Sequence, residues 1–157
     1  MLASSDPRQI CVTPPASPSP SKQAESGRLA PLLLLVDDCP EDTALYADHL
    51  IAAGFRVEIA TSGAEGVKLS LLLVPDLVVM DLQMPGIDGW EATRLLGCHD
   101  QTLRIPILAL SGFHATPMVM RAIRAGCCRF VPKPCLAEEL EAVIRSTLGR
   151  RDEAAGG

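Results

Sequence analysis

Residues 32–42 read LLLLVDDCPED: five consecutive aliphatic side chains run straight into two adjacent aspartates, and two more acids follow a cysteine and a proline. A strand with one wet face alternates apolar and polar residues. A stretch that is apolar at every position from Leu32 to Val36 instead belongs to a strand covered on both faces, as inside a parallel sheet. The same unbroken pattern recurs at Leu77–Met80 and Ile105–Leu110. Residues 55–60 (FRVEIA) alternate apolar and charged, which suits a sheet edge, and Arg129–Val131 makes a last short strand.

Helical periodicity fills the gaps: Ala44, Ala47 and Ile51; Ala64, Val67, Leu71 and Val74; Val119, Ala122 and Ile123; and Leu136, Leu140, Val143 and Ile144. The third helix, about Asp88 to Cys98, has the least regular pattern. Pro40 and Thr116-Pro117 stand at helix starts, Gly54 and Gly126 at helix stops. Five strands alternating with five helices predict an α/β fold with right-handed crossovers. The expected architecture is a flavodoxin-like (βα)5 three-layer sandwich with parallel sheet order 2-1-3-4-5.

Composition bounds the rest. The 157 residues are 48% hydrophobic with few aromatics, which predicts a single aliphatic core. A net charge of −5 speaks against nucleic acid as a partner, because such binding is driven by Lys and Arg on phosphates. The charge is uneven: residues 32–115 hold 12 acids and 4 bases, residues 116–150 hold 3 acids and 6 bases. Six cysteines (Cys11, Cys39, Cys98, Cys127, Cys128, Cys135) form no CxxC pair and no metal-ligand spacing, which favours reduced thiols in a cytoplasmic protein. The run Leu32–Val36 is far too short to span a bilayer, so no membrane is expected. Residues 1–31, rich in Pro and Ser, read as a disordered extension, residues 32–150 as the folded domain, and residues 151–157 as a flexible tail.

In an open α/β sheet the ligand sits outside the carboxyl ends of the strands, where strand order reverses. Strand one ends in Asp37-Asp38, strand three in Asp81, strand four in Ser111-Gly112, and strand five runs into Lys133-Pro134. Three carboxylates, a hydroxyl and an ammonium therefore converge. Two carboxylates about 4 Å apart repel by roughly 4 kcal/mol at an effective dielectric near 20, so one lysine leaves the cluster too negative. Hard oxygen donors with open positions point to Mg²⁺, or Mn²⁺, as the balancing cation.

The stretches LLLLVDDCPED, PDLVVMDLQMPGIDGWE (75–91), ILALSG (107–112) and FVPKP (130–134) resemble the receiver (CheY-like) domain of two-component response regulators, from residue 32 to about 148. That resemblance implies a phosphorelay switch in which Asp81 accepts a phosphoryl group from a histidine kinase or a histidine phosphotransfer protein. It implies Mg²⁺ held by Asp38, Asp81 and the main-chain carbonyl of Gln83, with Asp37 acting through water. Lys133 would pair with the phosphoryl group beside a cis bond to Pro134. Ser111 and Gly112 would approach the phosphoryl oxygens, and Phe130 would be the aromatic that turns inward. The output would pass by protein contact through the fourth helix, fifth strand and fifth helix, where Arg121, Arg124 and Arg145 lie beside Glu138, Glu139 and Glu141. That face would dock a target or a second copy in a homodimer.

Apart from the resemblance, Phe130 reads as core packing and those charges as solvated surface. Trp90 reads as helix packing, and His49, His99 and His114 as residues without partners. By the resemblance, Phe113, two after Ser111, stands at a position that influences how water reaches an acyl phosphate, and its bulk is expected to shield that group. Two rivals remain: a phosphorylation-independent docking module, and a Mg²⁺-dependent phosphatase with an aspartate nucleophile. The phosphatase wants a second acid where this chain has Gln83.

Overall fold

In a computed structural model the described residues are 29–112 and 115–156, so the extension before Leu29 and the positions Phe113 and His114 lie outside them. The elements alternate as expected: β1 (Leu32–Val36), α1 (Pro40–Ala52), β2 (Arg56–Ala60), α2 (Gly63–Leu73), β3 (Leu77–Asp81), α3 (Gly89–Leu96), β4 (Ile107–Ser111), α4 (Thr116–Ala125), β5 (Arg129–Pro132) and α5 (Ala137–Ala155). The five strands form one parallel sheet in the order β2-β1-β3-β4-β5. No helix among the described residues is long and apolar enough to cross a membrane.

Strand alternation sorts the core into two layers. Leu33, Leu35, Leu77, Val79, Leu108, Leu110 and Val131 face α1 and α5, meeting Tyr46, Leu50, Leu140 and Ile144. Leu34, Val36, Val78, Met80, Ile107 and Ala109 face the other way, meeting Ala92 and Leu96 of α3 and Ala122 of α4. Leu33, Leu34, Leu77 and Leu108 are fully buried, each contributing about 1.5–3 kcal/mol. A few such residues outweigh the repulsion among acids at the strand ends, which is why apolar strands can terminate in like charges.

Several helix faces differ from the apolar count. On α1 the buried residues are Thr43, Tyr46, Ala47 and Leu50, while Ile51 is exposed. Polar Thr43 and Tyr46 face inward because their hydroxyls are satisfied: Thr43 Oγ1 donates to the carbonyls of Cys39 and Pro40, and Tyr46 Oη to Cys135 O at 3.0 Å. On α2 the buried face is Gly63, Gly66 and Ser70, small enough to bring the helix backbone against Val36 and Ile87. Leu136 and Ile123 are exposed rather than core. β4 starts at Ile107 rather than Ile105, since Pro106 has no N–H for the ladder although its carbonyl accepts from Val78. α5 continues through residues 151–155, where the sequence predicts a tail, and Arg151 Nη1 ties it to Asp76 O at 3.0 Å.

Two backbone positions carry testable costs. Val74 caps α2 in the left-handed region at φ 46°, directly before Pro75, which disfavours continuation of the right-handed helix. A branched side chain there costs roughly 1–2 kcal/mol, against about 0.5–1 for glycine's extra chain entropy. Val74→Gly is therefore expected to stabilise by about 0.5–1 kcal/mol, read as a higher urea midpoint with unchanged slope. Gly89 opens α3 so close to strand β3 that an added Cβ would lie inside the van der Waals shell of Asp81 O and Leu82 Cα. Gly89→Ala should destabilise by at least about 2 kcal/mol in the same assay, because neither backbone atom can swing aside.

Candidate functional site

Strand parity builds the site. Asp81 ends β3 in the register of Leu33, Leu35, Leu77 and Val79, so it continues the α1–α5 side of the sheet, as do Asp37 and Lys133 just beyond β1 and β5. Asp37 and Asp81 line a narrow crevice with Thr43 and Tyr46 over an aliphatic floor of Leu35, Val79 and Leu110, and Lys133 reaches both carboxylates from the end of β5. Asp37 and Asp81 are buried and Asp38 is exposed, and one carboxylate oxygen of each lies within 4.8 Å of the other two. The structure thus brings together the three carboxylates that the sequence places at the ends of strands one and three.

Backbone amides hold the acids in place. Cys39 N donates to Asp37 Oδ1 at 2.8 Å and Gln83 N to Asp81 Oδ1 at 2.9 Å, so one oxygen of each carboxylate is fixed and the other is left for the crevice. Lys133 Nζ donates to Asp37 Oδ2 at 2.6 Å and stands 3.7 Å from Asp81 Oδ2. It also donates to Asp42 Oδ2 at 2.9 Å, a contact the sequence reading missed. The Lys133 amide is anchored by Ser111 O at 2.9 Å, and the bond to Pro134 is cis.

Charge and burial compete here. Burial pushes the Asp81 carboxyl above its ordinary value; the Gln83 amide and Lys133 pull it back, and Asp37 and Asp38 push it up again, leaving it raised. For Lys133 burial works toward losing the proton, but the hydrogen bonds to Asp37 and Asp42 and the field of Asp81 win, so the ammonium is held above its ordinary value. One firmly charged ammonium faces three acids, Asp37, Asp42 and Asp81, and Asp38 adds a fourth negative charge to the cluster. The remaining negative charge, borne on hard oxygen donors with one partner open to solvent, fits a divalent cation of the Mg²⁺ class.

The other predicted positions lie around this cluster. Ser111 closes β4, fully buried, and Gly112 follows it; an added Cβ on Gly112 would come 3.9 Å from Gln83 Oε1. Phe130 is on β5, half-buried against the α3–α4 layer, on the same face of the sheet as Ser111 by strand parity and outside the carboxylate cluster. His49 does have a partner: its Nε2 lies 2.7 Å from Glu141 Oε2. Arg145 departs from the expected α4–β5–α5 face, since it pairs with Glu141, donates to Ala53 O and stacks over Phe55 at 4.7 Å. Arg121 turns toward α3, 4.4 Å over the Trp90 ring. Cys39, Cys98, Cys127, Cys128 and Cys135 are free thiols, and burial raises Cys127 to about 11.

Comparison with known proteins follows the same lines. A profile of the response regulator receiver domain matches residues 33–145. The chain is 32% identical over 122 residues to the DNA-binding dual master transcriptional regulator RpaA of Synechocystis, and 39% identical over 119 residues to the transcriptional regulatory protein AfsQ1 of Streptomyces coelicolor. These matches take in 78% and 76% of this chain but 51% of each relative, so the chain spans about half their length. It is 29% identical to the polar-differentiation response regulator DivK of Brucella anthropi over 74% of this chain and 95% of that protein. Among solved structures, the receiver domain of a sensor histidine kinase from Pseudomonas aeruginosa, with a magnesium ion coordinated in its active site cleft, superposes with TM-score 0.72 at 27% identity. That match covers 76% of this chain and 98% of the other. Fold, acid cluster and sequence agree: the chain belongs to the response regulator receiver domain family.

Proposed function

We propose that the protein is a cytoplasmic phosphorylation switch whose acceptor is Asp81, loaded by a histidine kinase or histidine phosphotransfer protein and read out by a target protein at the α4–β5–α5 face. The observation that carries this reading is the placement of a buried Asp81 within 4.8 Å of Asp37 and Asp38, with the Lys133 ammonium 3.7 Å from its outer oxygen. Asp81 Oδ2 attacks the phosphorus of a phosphohistidine; the P–N bond breaks, the imidazole keeps the electron pair, and an acyl phosphate forms. Asp38, Asp81 and the Gln83 carbonyl, with Asp37 beside them, would hold Mg²⁺, which would neutralise charge on the phosphoryl oxygens when bound.

This chain's own contribution is positioning. The Gln83 amide fixes the inner oxygen of Asp81, so the outer one presents itself to the donor. Lys133 provides a charge that stays protonated throughout the neutral range. Ser111 and Gly112, at the neighbouring strand end, approach the phosphoryl group, and Phe130, on the Ser111 side of the sheet, reports the change toward α4. Little covalent work falls to the protein beyond its own phosphorylation and dephosphorylation.

Incubation with a small acyl phosphate donor and Mg²⁺ should add the mass of one phosphoryl group, and the gain should vanish with EDTA or in Asp81→Asn. Uptake by Asp81→Asn, or none by the parent, refutes the assignment. Lys133→Met should lower stability at pH 7 in EDTA by about 1–3 kcal/mol, because Asp37 and Asp81 are left buried without their cation. The folded-state ammonium is raised above 10.5, so its contribution is complete at pH 7 and fades only as pH climbs past that value. Urea unfolding of the two proteins at pH 7 and pH 11 checks both halves of this expectation.

A further inference from the structure

Lys133 has two tight partners and one loose one. Asp37 at 2.6 Å and Asp42 at 2.9 Å are within hydrogen-bond reach, whereas Asp81 at 3.7 Å is beyond it. Asp42 belongs to neither the acid pair nor the acceptor. It lies in the first turn of α1, where the helix dipole favours an anion. Its side chain is 40% exposed, against 7% for Asp37 and 9% for Asp81.

We propose that Asp42 is a positioning residue that parks the Lys133 ammonium at the rim of the crevice, in competition with a phosphoryl group on Asp81; this rests on Asp81 being the acceptor. Exposure decides which contact yields. Detaching Lys133 from Asp37 strands a buried carboxylate, whereas a released Asp42 is rehydrated at once. An acyl phosphate brings a charge of about −1.5 to −2 into a water-poor site, against −1 on a half-wet carboxylate, so the ammonium leaves Asp42 when the phosphoryl group arrives. Asp42 thereby sets how strongly the resting protein resists loading. The same acid deepens the negative field that draws in a divalent cation, so its two effects oppose each other: it favours the metal and disfavours the phosphoryl anion.

The test is a calorimetric titration with beryllofluoride at saturating Mg²⁺, using the full chain. Asp42→Ala should bind about threefold to fivefold more tightly than the parent, the size set by a partly exposed charge pair. Glu41→Gln, which removes an adjacent charge that makes no contact with Lys133, should leave binding unchanged. In a Lys133→Ala background Asp42→Ala should have no effect. A gain that is missing in Asp42→Ala, reproduced by Glu41→Gln, or retained without Lys133 overturns the proposal. A second readout needs neither metal nor phosphoryl analogue: in EDTA the Lys133 ¹⁵Nζ resonance should move in Asp42→Ala and stay in Glu41→Gln, and an unmoved resonance in Asp42→Ala also overturns it. Failure of the parent to bind beryllofluoride would instead bring down the acceptor assignment, and this inference with it.

Discussion

One ammonium set among carboxylates governs this molecule. Without Lys133 the ends of β1 and β3 and the first turn of α1 would confront each other with acids alone. With it, the carboxyl ends of two neighbouring strands and the first turn of α1 are drawn to a common point. The ammonium cannot balance the cluster fully, and that deficit is what makes the crevice receptive to a cation and sensitive to any change of charge on Asp81. The apolar strands behind it supply the energy that lets such an arrangement persist.

Much of this was legible in the sequence, for identifiable reasons. Strand β1 is apolar throughout, and β3 and β4 are apolar up to the Asp81 and Ser111 that end them, because both faces are covered, and that pattern admits few other readings. The polar residues ending those strands then fall into one place by topology alone. Helix faces were harder. Counting apolar residues selected Ala44 and Ile51 on α1, whereas Thr43 and Tyr46 face inward because their hydroxyls find carbonyls three residues or 89 residues away. On α2, glycines took the inner face because close approach, not hydrophobicity, was the requirement.

Long-range pairs were not legible. His49 and Glu141 are 92 positions apart, and no spacing rule links them. Asp42 was hidden for another reason: an acid in a first helical turn has an ordinary local explanation, which masks its contact with a lysine 91 residues on. Strand parity would have exposed it. Asp37, Asp81 and Lys133 all lie on the α1–α5 side of the sheet, so whichever polar residue opens α1 on its inner face must join them.

The two layers flanking the sheet are fastened unequally. α1 and α5 are stitched together through Tyr46 to the Cys135 carbonyl, His49 to Glu141, and Arg145 to the Ala53 carbonyl and the Phe55 ring. Across the sheet, α4 sinks only Ala122 into the interior and leans on α3 through a guanidinium resting on an indole. The compliance of the molecule is therefore lopsided. The crevice is thus backed by a tightly tied pair of helices on one side, with the more lightly seated α4 on the other.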